Sequence, residues 1–160
     1  MFNYSFPPIS HPNATVLILG TMPGAQSLAL QQYYGQPRNT FWKIVFSVLE
    51  TPFSEDYEER KSILVENRIA LWDVLESCVR EGSLDSAIEQ ETVNDFDSFL
   101  KTHSNITHIY FNGQKAAHYF KQYVSFSDTY HLSILPSTSP AYASMSFEKK
   151  RCAWECIKKL

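Results

Sequence analysis

The feature that most constrains this chain is residues 14–20, ATVLILG, an apolar and partly β-branched run that ends on glycine. A run this short, with no alternation of polar and apolar positions, reads as a strand buried on both faces, as in a parallel sheet. Residues 69–74 (IALWDV), 106–112 (ITHIYFN) and 130–135 (YHLSIL) share its character, the last two stopped by Gly113 and Pro136. Between them lie helix-like stretches. Residues 39–50 carry Phe41, Trp42, Val45, Phe46 and Leu49 near helical spacing, with Asn39 as a cap. Residues 54–67 open with acidic groups that suit a helix N-terminus. Residues 92–103 are predicted to be capped by Thr92, followed by Asp95. Residues 114–123 and 146–160 complete the set, the last capped by Ser146. Residues 21–38 and 76–91 read as loop. Strands alternating with helices predict an α/β fold, a three-layer α/β/α sandwich around a short, mainly parallel four-stranded sheet. With 160 residues and no repeat or linker, one domain spanning 1–160 is expected.

Charge excludes less than its total suggests. The net value of -3 comes from 14 Lys+Arg and 17 Asp+Glu. By segment, residues 1–50 are near neutral, residues 51–100 strongly acidic, and residues 101–160 basic. A histone-like basic coat is ruled out, but a local grip on an anion is not. The acidic middle, apart from the strand end at Trp72, is expected to lie away from any anionic partner. No apolar run approaches the ~20 residues of a membrane span, and no secretory signal is read near the N-terminus. A soluble, cytoplasmic monomer without membrane contact is expected. Three cysteines do not make a disulfide framework. Cys152 and Cys156 share a helix face, more simply half-buried than metal-binding. His103, His108, His118 and His131 lack ligand spacing, so neither a metal nor another cofactor is expected.

Ligands on parallel sheets sit beyond the C-terminal strand ends, and the unusual residues cluster there. Gly20-Thr21-Met22-Pro23-Gly24 can turn sharply and approach a ligand closely. It is neither a dinucleotide fingerprint nor a phosphate-loop motif. In residues 33–42 (YYGQPRNTFW) a tyrosine pair offers a flat stacking surface, and Arg38 can reach a phosphate. Asn39 can orient a water or read a base edge, in addition to capping a helix. Phe41 and Trp42 are read as core. Asn112 is either a turn former or a polar group aimed into a pocket, and Asp73 either a base or a capping or pairing group. Residues 135–142 (LPSTSPAY) form a stiff polar loop whose hydroxyls and amides suit a phosphate backbone, with Lys149, Lys150 and Arg151 just downstream.

Taken in order, these segments resemble the uracil-DNA glycosylase superfamily. GTMPG is similar to its first motif, YYGQPRNTFWKI to the segment following that motif in mismatch-specific glycosylases, and LPSTSPA to its second motif. WDVLESC, GSLD and FNGQKA also have counterparts in the hypoxanthine-DNA (deoxyinosine) glycosylase branch, where the resemblance is strongest. It covers roughly residues 14–142. The resemblance implies a monofunctional enzyme that flips a deaminated base out of DNA and hydrolyses its N-glycosidic bond. Hypoxanthine comes first, then uracil or xanthine. Asn39 would be catalytic. Tyr34, Asn112, Met22, Gly20, Pro23 and Trp72 would surround the base, with Tyr34 stacked on it. Ser137, Thr138, Ser139, Arg38 and Lys149 would hold the DNA backbone, and Tyr142 is the candidate wedge. Met22 stands where many relatives carry Asp or Asn, and Leu135 where many carry His or Asn. A non-catalytic damaged-DNA- or nucleotide-binding module on the same fold is the alternative. A nucleoside hydrolase ranks third, since no Asp cluster for a metal is present.

Overall fold

The computed structural model describes residues 2–126 and 128–158. Four strands form a wholly parallel sheet: β2 (Val16–Gly20), β3 (Ile69–Asp73), β6 (His108–Asn112) and β7 (His131–Leu135), in the order β3-β2-β6-β7. Their register aligns the C-terminal ends, with Gly20 beside Asp73 and Asn112 beside Leu135. Every residue of β2 and β3 is buried, which is why these runs show no alternation. The outer edge of β3 is not left open, because Ile9 exchanges two backbone hydrogen bonds with Leu71, at 2.9 and 2.8 Å.

Helices cover both faces. On one side α2 (Phe41–Val48), α3 (Tyr57–Glu66) and α6 (Phe147–Trp154) pack on Val16, Ile18, Ile69 and Leu71. On the other, α4 (Phe96–Thr102) and α5 (Gln114–Tyr123) pack on Leu17, Leu19, Ile109 and Phe111. The opposite-facing residues of β2 thus feed two separate cores, and the three-layer α/β/α expectation holds. Among the described residues, no helix is long and apolar enough to cross a membrane.

Several local expectations needed correction. The segment read as loop after Glu76 contains β4 (Leu75–Val79) and β5 (Glu89–Val93). With β1 (Phe2–Tyr4) they build a second, antiparallel sheet in the order β1-β4-β5. These strands hide from pattern reading because β5 is largely exposed and its pairing with β4 is interrupted by register shifts. Thr92 belongs to β5. The α4 cap is Asp95, whose carboxylate accepts the Ser98 N–H at 3.1 Å. The long loop after β2 holds a short helix, α1 (Ala25–Leu30). Helix α2 starts at Phe41 with Thr40 at the cap, although Asn39 still satisfies one free N–H of its first turn. Ser146 caps α6 as expected, accepting from Lys149 N–H at 3.2 Å, but the α-helix stops at Trp154 and continues as a 3₁₀ turn over Glu155–Lys158. The last two residues of the expected helix lie outside the described residues.

Candidate active site

The C-terminal ends of the four parallel strands open into a cavity of about 450 Å³. Gly20, Thr21, Met22, Pro23 and Gly24 form one wall, and Tyr34 and Asn39 another. Asp73 and Asn112 come from the strand ends, and Ser137, Thr138, Ser139 and Tyr142 from the loop after β7. Positions as far apart in sequence as Gly20 and Tyr142 converge here because every strand of the sheet runs the same way.

Tyr34 is held in the left-handed backbone region, φ 53°, which is strained for a residue with a side chain. Its ring stacks on Phe41 with centroids 4.1 Å apart and 23° between planes, so one face is already occupied. Burial and the nearby Asp73 carboxyl push its phenol far above the ordinary range, with the Asn112 side chain acting in the opposite sense. Tyr33, its neighbour, is structural: its hydroxyl donates to the Pro7 carbonyl at 2.8 Å, and its own carbonyl accepts the Trp42 indole N–H at 2.7 Å.

Asn39 is fixed through its carbonyl. Oδ1 accepts the Phe41 N–H at 3.0 Å, and the Asn39 N–H donates to Gln36 O at 2.9 Å. One lone pair and the amide group remain for a ligand. Asn39 also lines a second cavity of about 300 Å³ with Tyr34, Trp42, Lys43, Phe53 and Arg60. Asn112 is more heavily committed. Its Oδ1 accepts the Thr138 N–H at 2.9 Å, while its Nδ2 donates to Thr138 Oγ1 at 2.9 Å. The Thr138 carbonyl in turn accepts the N–H of Thr40 at 3.1 Å, so three motif segments are bolted together.

Two expected ligand contacts are corrected by this geometry. Thr138 is only 1% exposed, with its amide and hydroxyl both consumed by Asn112, so it holds the loop rather than a phosphate. Trp72 does not line the cavity. Its indole packs against Phe96 and Phe99 on the opposite side of the sheet and donates to Phe6 O at 3.1 Å. The period-two alternation of β3 sends Trp72 one way and its neighbour Asp73 another. Ser137 and Ser139 remain on the rim, where each hydroxyl accepts a backbone N–H two residues on. Arg38 and Lys149 are exposed, and Arg38 does not reach the cavity wall. The other downstream cations serve the fold. Lys150 donates to Tyr142 O at 2.8 Å and lies 5.2 Å from that ring's centroid, which anchors the rim tyrosine, while Arg151 is tied to Ser47 and Glu155.

Apart from its strand end at Trp72 and Asp73, the acidic segment was expected to stay away from the site, and Ser83, Leu84 and Asp85 overturn that. Asp73, Ser83, Leu84 and Asp85 all line the cavity. Beneath them Arg80 is buried, bonded to the Pro23 carbonyl and 3.9 Å from Asp85 Oδ1. Burial lifts the Asp73 carboxyl to about 7, with Asp85 raising it further and Arg80 pulling it down. Asp85, half-exposed at the rim, is also raised by desolvation, against the Thr21 hydroxyl and Arg80. Pattern reading missed Arg80 and Asp85 because β4, which Arg80 directly follows, and the 3₁₀ turn that Asp85 opens were read as loop. Two signals were available, a lone Arg at position 80 in an otherwise acidic stretch and the GSLD run that ends on Asp85.

Gly20 sets the depth of this floor. A Cβ there would fall 2.5 Å from Asp73 Oδ1 and 2.6 Å from the Tyr34 hydroxyl. Neither group can yield cheaply, since Asp73 is short and buried and Tyr34 is clamped on Phe41. Gly20→Ala is therefore expected to lower stability by about 1–3 kcal/mol through overpacking, measured as the shift in a urea unfolding midpoint.

A cavity floored by strand ends, walled by a tyrosine stacked on Phe41 and rimmed by a hydroxyl-bearing loop lies where α/β enzymes carry their sites. The chain belongs to the uracil DNA glycosylase superfamily, whose family profile matches residues 7–160. It is 37% identical over 158 residues to a hypoxanthine DNA glycosylase of Methanosarcina acetivorans, covering 98% of each chain. A hypoxanthine DNA glycosylase of Methanosarcina barkeri is 35% identical over 155 residues, covering 96% of each. A solution NMR structure of a candidate uracil DNA glycosylase from Methanosarcina acetivorans superposes with a TM-score of 0.84 at 35% identity, over 99% of this chain and 98% of that one.

Proposed function

We propose that this chain is a monofunctional DNA glycosylase that hydrolyses the N-glycosidic bond of hypoxanthine in DNA, with uracil and xanthine as secondary substrates, in base excision repair. The observation that carries the reading is the convergence of Asn39, Tyr34, the residue 20–24 turn, Asn112 and the residue 137–139 loop on one cavity. The similarity to two proteins named hypoxanthine DNA glycosylase supports it.

The chemistry follows from the residues available. A base must leave the stack before its glycosidic bond can be reached. Tyr34 offers its remaining ring face to the flipped base, while Gly20, Met22 and Pro23 bound the space beneath. Asn39 places the attacking water with its free lone pair or amide. Asn112 has one amide hydrogen left for the base edge. Departure of the base leaves an oxocarbenium-like sugar, which neutral dipoles fixed in place stabilise without reorganising. Ser137 and Ser139 hold the flanking phosphates with Arg38 and Lys149 nearby, and Tyr142 fills the gap in the stack. This scheme needs no cofactor. In this reading residues 1–160 form one domain that acts as a cytoplasmic monomer on the nucleoid.

The test is a panel of oligonucleotides containing inosine, uracil or xanthine, single- and double-stranded, assayed for alkali-labile abasic sites. Strand scission at inosine is the expected result. Damage-selective binding with no abasic product from any substrate would instead favour the binding module, a reading motivated by Met22 in the first-motif turn.

A further inference from the structure

Asp73 is a carboxyl that the excision scheme leaves idle. It closes β3, is 3% exposed, and lines the cavity floor. Its Oδ1 sits against Gly20, and its Oδ2 is buried without a hydrogen-bond partner. Its backbone carbonyl accepts the Asn94 side-chain amide at 2.8 Å, which fixes the strand end. A buried carboxylate with an unsatisfied oxygen is costly, whereas the neutral acid leaves an O–H available for donation. The charged groups around it pull in opposite directions, Asp85 favouring the neutral form and Arg80 the anion, while Tyr33, Tyr34 and Tyr57 are held neutral by burial. A purine leaving group differs from a pyrimidine in carrying ring nitrogens that accept a proton and so depart without charge.

We propose that Asp73 is the general acid for a purine leaving group, giving its carboxyl proton to N7 or N3 of the flipped hypoxanthine as the C1′–N9 bond breaks. The inference rests on the glycosylase reading above. The C1′–N9 electron pair goes to the base, and the Asp73 proton makes it neutral hypoxanthine. Water adds its oxygen to C1′ and loses a proton, which restores the acid.

The test is the single-turnover rate on inosine DNA from pH 5.5 to 9, for the protein and for Asp73→Asn. The folded carboxyl is lifted to about 7, so the acid form dominates below that pH and is lost above it. The rate is expected to hold level below about pH 7 and fall about tenfold per unit above it. Asp73→Asn, nearly isosteric, should lower the plateau about 10²-fold and flatten the profile, with DNA binding retained. An unchanged rate, or a slower one that keeps the alkaline fall, overturns the proposal. Should Asp73→Asn fail to fold, the unsubstituted protein still decides: no alkaline fall between pH 7 and 9 overturns it. If the unsubstituted protein releases no base from any oligonucleotide, the glycosylase reading itself fails. If it does, and only the Asp73 outcomes go wrong, the failure is confined to Asp73.

Discussion

Asn39→Ala is expected to lower the single-turnover rate on inosine DNA by about 10²–10³-fold, the scale of losing one preorganised dipole at a reacting centre. The side chain is half-buried at the junction of two cavities, and its one observed bond is to the Phe41 N–H. Losing that bond costs the helix a cap-like contact of about 1 kcal/mol, too little to unfold the chain. Thermal melting and binding to inosine duplex should therefore stay near their original values while turnover collapses. Asn39→Asp gives a second comparison, because it keeps the oxygen that accepts from Phe41 while exchanging the amide donor for a carboxylate. Substantial activity in Asn39→Ala would move the water-placing role to another cavity residue.

The second large effect is thermodynamic. Asn112→Ala removes both hydrogen bonds to Thr138 and leaves the Thr138 N–H and hydroxyl buried with no partner. Unsatisfied buried groups cost about 1–3 kcal/mol each. The expected loss is about 2–4 kcal/mol, read from the urea unfolding midpoint at constant slope. Activity should fall as well, because the Thr138 carbonyl that positions Thr40, next to Asn39, moves with the loop. The double substitution Asn112→Ala with Thr138→Val, which removes the orphaned hydroxyl too, is expected to be less than additive. Full additivity would mean that the two side chains do not act as a unit.

The parallel sheet was legible because burial of β2, β3 and nearly all of β6 leaves apolar runs, and their ends at Gly20, Asp73 and Asn112 marked the cavity in advance. The antiparallel sheet was not. In β5, Glu89, Gln90, Glu91 and Thr92 carry no apolar signal, and the strand is formed by its pairing with β4. That gap propagated to the site. With β4 unseen, Arg80 could not be placed under Pro23, nor Asp85 on the rim, and the acidic segment looked like outer surface. Trp72 was misassigned for a different reason. Being at a strand end suggested a pocket, but side-chain alternation decides which face a residue takes, and only the neighbouring Asp73 lines the cavity. Thr138 carries the same lesson for loops: a hydroxyl in a polar turn looks available until a buried amide claims it.

The Thr40–Thr138–Asn112 bolt has a consequence for synthesis and folding. Its two links close over sequence separations of 98 and 26 residues, so loop-closure entropy must be overcome before either bond forms. The first three parallel strands, with their helices, are complete in the chain well before Thr138 emerges. A nascent or partly unfolded molecule can therefore hold an ordered core and still have no cavity wall on the side of the residue 137–139 loop. The cavity is thus complete only once the segment after β7 has docked, which ties its integrity to long-range contacts of the fold.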